Sequence, residues 1–219
     1  VSWLLRTFAN PIGQKVLTAL TGLGLVGFLV MHLLGNLNLY RSEEAMNDYA
    51  HLLHEIPGFP LIEVGLMLCF LLHIALVFNL TRLNRAARGK EYKVKASKQR
   101  GTLGRALVST YMGVSGVVVL IFIVVHIADM RAVRGSYESL YDHIHVVLGV
   151  GWKAALYAVG SAFVGWHLWH GFQSSFRSLG LGHAKYSPLL EKAGMALSAI
   201  LTLGFISIPV WIYLIKGGQ

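Results

Sequence analysis

Hydrophobic positions in this chain do not alternate with polar ones. They fall into five long blocks, at about 16–40, 61–80, 107–128, 152–176 and 193–215, separated by charged or turn-forming residues. Each block is long enough to cross a hydrocarbon core of about 30 Å as a helix. A two-residue strand period and a ten-residue barrel repeat are both missing, so helices are the expected spanning elements. The first block is longer than the apolar stretch of a secretion signal, and no small-x-small cleavage site follows it. It is therefore expected to stay as a span. The pattern predicts an all-α membrane protein, with five transmembrane helices in one bundle and a single membrane domain over 1–219.

Composition sharpens this. Only 13% of the 219 residues are charged and 55% are hydrophobic, against roughly 25% charged in an average soluble domain. A water-soluble globule could not cover itself with so few charges, and the mean hydropathy of +0.58 agrees. The charge that remains is lopsided, with 19 Lys and Arg against 10 Asp and Glu, a net +9. On a soluble protein such an excess would raise the question of nucleic acid. Here its placement makes it a topology signal, and no nucleic-acid partner is expected.

Arg82, Arg85, Arg88, Lys90, Lys93, Lys95, Lys98, Arg100 and Arg105 follow the second block with one acid, Glu91. Arg6 and Lys15, and then Arg177, Lys185 and Lys192, fall on the same side. The other two loops are mixed or acidic: Glu43, Glu44, Asp48 and Glu55 in one, Asp129, Glu138 and Asp142 in the other. The positive-inside rule then puts the N-terminus in the cytoplasm and the C-terminus outside. Anionic lipid accounts for a basic face of this kind, and docking of a soluble cytoplasmic partner is compatible with it. The single cysteine, Cys69, excludes an intrachain disulfide, a CxxCH haem attachment and a cysteine-ligated iron–sulfur centre within the chain.

Of ten histidines, His32, His73, His126 and His167 lie well inside apolar blocks, one in each of the first four. A lone intramembrane histidine is often a helix–helix hydrogen bond, but four in this arrangement call for a functional explanation. His32 and His73 are 41 positions apart, and so are His126 and His167. Gly22 and Gly116 each stand ten positions before a histidine, where a flat macrocycle can approach a backbone. At the helical rise, His32 is about 25 Å and His126 about 31 Å from the cytoplasmic end, while His73 and His167 are about 14 and 15 Å from it. Two layers follow, His32 with His126 outside and His73 with His167 inside. Two imidazoles from different helices suit a six-coordinate haem b without covalent attachment. Zinc would be under-coordinated by two histidines with no cysteine or carboxylate at the same depth. A proton relay calls for acids within the spans, and only Glu63 comes close.

These residues carry a resemblance. MHLLGN contains His32 and Asn36, and AMNDYAHLLHEIPGFPLIE leads into LLH with His73. STYMGVSGVVVLIFIVVH ends at His126, and WHLWHGFQSSFRSLG contains His167, Gly171 and the Leu179–Gly180 end. In this order, with five spans, the chain resembles the single-subunit, five-helix, di-haem cytochrome b membrane anchor of succinate:quinone oxidoreductases, the succinate dehydrogenases and quinol:fumarate reductases. The family pattern places the span-four ligand four residues before the glycine, which selects His167 over His170. His170 is left as a propionate or packing partner, and His143, His145 and His183 as solvated loop residues.

The resemblance implies two haems b, held by His32 and His126 and by His73 and His167. It also implies a flavoprotein subunit with the dicarboxylate site and an iron–sulfur subunit, both on the cytoplasmic side. No dicarboxylate site is then expected in this chain, which would sit in a bacterial cytoplasmic membrane within a complex that can dimerise. Menaquinone is the usual quinone where one anchor carries two haems. Haem propionates need basic or hydroxyl partners; Gln14, Lys15, Thr18 and Arg177 are the candidates by depth, with Ser109 and Tyr111 behind them. For quinone acid–base chemistry the outer end offers Glu55 and His54 first, then His51 and Glu63. The competing expectations are a di-haem anchor of a hydrogenase, formate dehydrogenase or nitrate reductase, and a histidine-lined transporter without haem.

Overall fold

A computed structural model describes residues 6, 8, 10–87, 111–132 and 139–216. Among them every regular element is helical, with no strand. Asn10 caps the first helix, α1 (Pro11–Asn36), by accepting from the Gly13 N–H at 2.8 Å, and Pro11 occupies the first turn, where no N–H is needed. A 3₁₀ turn (Leu37–Tyr40) leads to the amphipathic α2 (Glu43–Glu55), capped by Ser42. Gly58, at φ 82°, supplies the left-handed residue that turns the chain into α3 (Phe59–Ala86).

The fourth helix, α4 (Met112–Ile127), runs on into a π-helical turn (Ala128–Ala132). The short α5 (Leu140–Leu148) meets α6 (Gly151–Ser178) at 96°. At the end of α6, Gly180 adopts φ 77°. The Leu181 N–H reaches the Phe176 carbonyl and the Gly180 N–H that of Arg177, a Schellman ending. The last helix, α7 (Ser187–Lys216), tolerates Pro209 in its interior.

The segment 11–40, α3, the segment 112–131 and α7 are each long and apolar enough to cross a bilayer, and the bent α5–α6 pair brings the number to as many as five. This is a multi-pass membrane protein. The helices of the first, second, fourth and fifth blocks run past the expected spans at one or both ends, because capping and turn residues, not hydropathy, set the boundaries. The third block's first residues, 107–110, and the basic residues 88–105 lie outside the described residues. Leu61, Ile62, Leu68 and Phe78 on α3 and Ile200, Leu203 and Leu214 on α7 are exposed, as lipid-facing side chains are in a bundle without its bilayer.

Small residues set the helix contacts. The Ser198 hydroxyl donates to the Gly165 carbonyl at 2.6 Å, joining α7 to α6. Gly204 leaves room for Leu33 between α7 and α1, and Gly160 for Phe122 between α6 and α4. The buried cluster of Leu33, Leu39, Met46, Ile144, Leu148 and Tyr157, with Leu201, Ile208 and Ile212 of α7, lies toward the end that carries α2 and α5. In contrast, α3 packs along α1 and makes no extended contact with α4 or α6.

Candidate functional site

The four span histidines occupy two levels. Gly22 and Gly116 mark one level and His32 and His126 the other, ten residues or about 15 Å further along their helices.

On the first level His73 of α3 lies against α1. A Cβ on Gly22 would stand 3.3 Å from His73 Cε1 and 3.7 Å from its Nδ1. His167 of α6 lies against α4 in the same way, with a Gly116 Cβ 3.3 Å from its Cε1 and 3.7 Å from its Nδ1. Thr21 Oγ1 is 3.1 Å from His73 Nδ1, and Ser115 Oγ is 3.3 Å from His167 Nδ1.

On the second level His32 and His126 meet edge to face, with ring centroids 5.8 Å apart and planes at 85°. Phe28 stacks on His32 at 5.2 Å, and Phe122 and Tyr157 flank His126 at 6.0 and 5.7 Å.

The two halves correspond at an offset of 94 positions. Thr21, Gly22, Phe28, His32 and His73 map onto Ser115, Gly116, Phe122, His126 and His167. The 41-residue spacing places the histidines in register; applying the offset to whole helices also aligns Thr21 with Ser115 and Phe28 with Phe122, without showing that any of them meets a histidine.

Beyond His126 the π-helical turn carries Asp129 inward, where its carboxylate pairs with Lys153 and faces the Tyr157 hydroxyl at 3.3 Å. The His143 Nε2–H donates to the Asp129 main-chain carbonyl at 2.8 Å. Asp129 was expected in a loop and His143 and His145 in solvent, and here the structure corrects the sequence. Both histidines are almost fully buried on α5, and His145 is bonded to the Tyr141 carbonyl and set against Trp211. The signal for α5 is weak because nine residues are too few to register as an apolar block. His183 is exposed, as expected.

The remaining candidates are dispersed. Gln14 is buried and accepts from Asn79 Nδ2 at 2.9 Å, and Thr18 bonds back to the Gln14 carbonyl. Lys15 and Arg177 are exposed at that same end, His170 is half-buried, and Tyr111 is exposed just before α4. Ser109 lies outside the described residues. His51, His54 and Glu55 are exposed on α2, and the His54 Nδ1–H donates to the Ala50 carbonyl. Glu63 accepts two bonds from Arg131, at 2.6 and 2.8 Å, which ties α3 to the end of the α4 segment.

The donor chemistry fits a haem. No group of three or more His, Cys, Asp or Glu is placed to hold a metal ion among the described residues. Two imidazoles per level suit a metal that arrives with its other ligands already in place. His32 and His126 come from different helices and lie 5.8 Å apart between ring centroids, so two imidazole donors share one level. In comparisons with family models, curated proteins and solved structures, nothing matches this chain.

Proposed function

We propose that this chain is the di-haem cytochrome b anchor of a succinate:quinone oxidoreductase, passing electrons between a quinone, menaquinone by preference, and an iron–sulfur subunit. The observation that carries the proposal is the duplicated histidine layout: two levels, each drawing its imidazoles from different helices, with the same glycine cradle on both sides of one level. His32 and His126 would hold one haem b, and His73 and His167 the other. When bound, each haem would supply one-electron transfer, held by the two histidines of its level.

The chain's own residues orient the imidazoles, keep water from them and present hydrogen-bonding groups at both ends. Five spans are read from the apolar blocks, and the distribution of basic residues supports an N-terminus in the cytoplasm. The end bearing Lys15, Arg82 and Arg177 would then face an iron–sulfur subunit and its flavoprotein on the cytoplasmic side of a bacterial membrane. The end with Glu63, Arg131 and Asp129 would face outward, beside the outer histidine pair, where quinol oxidation has two protons to release.

The test is affinity purification of the tagged chain from its native membrane. A flavoprotein and an iron–sulfur protein should accompany it, and the isolated complex should couple a quinone to succinate or fumarate. Copurification with a molybdenum or nickel enzyme in their place would contradict the assignment.

A further inference from the structure

The two hydroxyls beside the inner histidines also bond back to their own helices. Thr21 Oγ1 donates its hydrogen to a main-chain carbonyl of its own helix, with Leu17 O at 2.8 Å and Thr18 O at 3.1 Å. Ser115 Oγ likewise donates to Met112 O at 2.9 Å. With its hydrogen committed, each oxygen has only lone pairs to offer the imidazole nitrogen that faces it. In that arrangement the facing nitrogen carries the proton, and His73 and His167 would be Nδ1–H tautomers with free Nε2 lone pairs.

The second histidine level lacks this device. His126 Nδ1 is buried with no hydrogen-bond partner among the described residues. His32 Nδ1 is approached by Asn36 Nδ2 at 3.5 Å, while the same amide donates to the His32 carbonyl at 2.7 Å.

From this geometry we infer that Thr21 and Ser115 are paired positioning residues that set the tautomer of His73 and His167 and raise the basicity of the Nε2 atom each presents to a metal. The inference rests on the two-haem proposal and deepens it. A ligand histidine that donates through its second nitrogen is fixed in orientation and is a stronger donor, and loss of such a partner typically costs about 10–100-fold in metal affinity. Stronger donation favours ferric over ferrous iron, so both hydroxyls hold down the midpoint of the haem on their own level. The device repeats at equivalent positions of the two halves, which makes the inner ligand pair symmetric in its hydrogen bonding.

The test is a spectroscopic redox titration of the purified complex carrying Ser115→Ala, Thr21→Val or Thr21→Ser. Ser115→Ala and Thr21→Val should each shift one haem to a more positive midpoint, the same haem in both, and leave the other unmoved. Loss of that one haem alone, restored in Thr21→Ser, supports the assignment equally. Unchanged midpoints with both haems retained, or an equal shift of both haems, would overturn it. A wild-type complex without haem b would overturn the two-haem proposal itself, so the two failures are distinct.

Discussion

The imidazole of His167 rests on Gly116, where a Cβ would come within 3.3 Å of Cε1, the same distance that separates a Gly22 Cβ from His73 Cε1. At both places the absent side chain lets an imidazole edge approach a neighbouring helix. Gly116→Ala and Gly22→Ala should keep the helical fold, since alanine is the better helix former by about 1 kcal/mol. The added methyl must displace an imidazole by a few tenths of an ångström, so haem content should fall toward one per chain. Circular dichroism and the haem-to-protein ratio check the two halves of this expectation.

His167 and His170 stand three residues apart on α6, yet it is His167 that meets α4, through Ser115 and Gly116. His167→Ala is expected to lose one haem of the two, and His170→Ala to keep both. Two haems retained in His167→Ala would show that the ligand has been misassigned.

Asp129 and Lys153 form a charge pair whose side chains are only 14% and 19% exposed. Removing one member of a buried pair leaves the other uncompensated and costs about 3 kcal/mol. Asp129→Asn should therefore destabilise the chain in detergent by that order. Asp129→Asn combined with Lys153→Met should recover most of the loss, because no orphaned charge remains. Thermal unfolding of the two variants makes the comparison, and an additive double variant would count against a coupled pair.

Glu63 and Arg131 are more exposed, at 35% and 58%, and an ion pair of this kind is worth about 1 kcal/mol or less. Glu63→Gln should barely alter stability. Its effect is expected in quinone-linked turnover, and to exceed that of Glu55→Gln, because Glu63 bridges α3 to the α4 segment while Glu55 lies exposed on α2. Steady-state assays with a soluble menaquinol analogue would rank the two variants.

Much of this was legible in the sequence because membrane helices announce themselves by length and hydropathy, and because His32, His73, His126 and His167 are costly residues at their depth. The spacing of 41 set their register. The hydroxyls of Thr21 and Ser115 were not legible as partners. Serine and threonine are common in such helices, bonded back to their own carbonyls, and which of them meets a histidine depends on helix rotation. That rotation is set by small-residue contacts such as Gly22 on His73, which hydropathy does not encode.

Asp129 was hidden for a different reason. It lies three residues past His126, where the apolar block ends, and only the π-helical turn carries it inward. Its partner Lys153 sits at the start of the next long helix and reads as an ordinary interfacial cation. His143 and His145 were misjudged because the fold turns α5 back over the bundle end through 96°, burying a segment too short to be recognised as a block.

The most direct measurement is the haem content and spin state of the purified chain or its complex, by reduced-minus-oxidised absorption and by paramagnetic resonance of the oxidised form. Two haems b per chain, both low-spin and both unreactive toward carbon monoxide, are expected from two filled pairs of axial histidines. A chain that purifies folded without haem, or with one haem having an open coordination position, would contradict the two-level bis-histidine site.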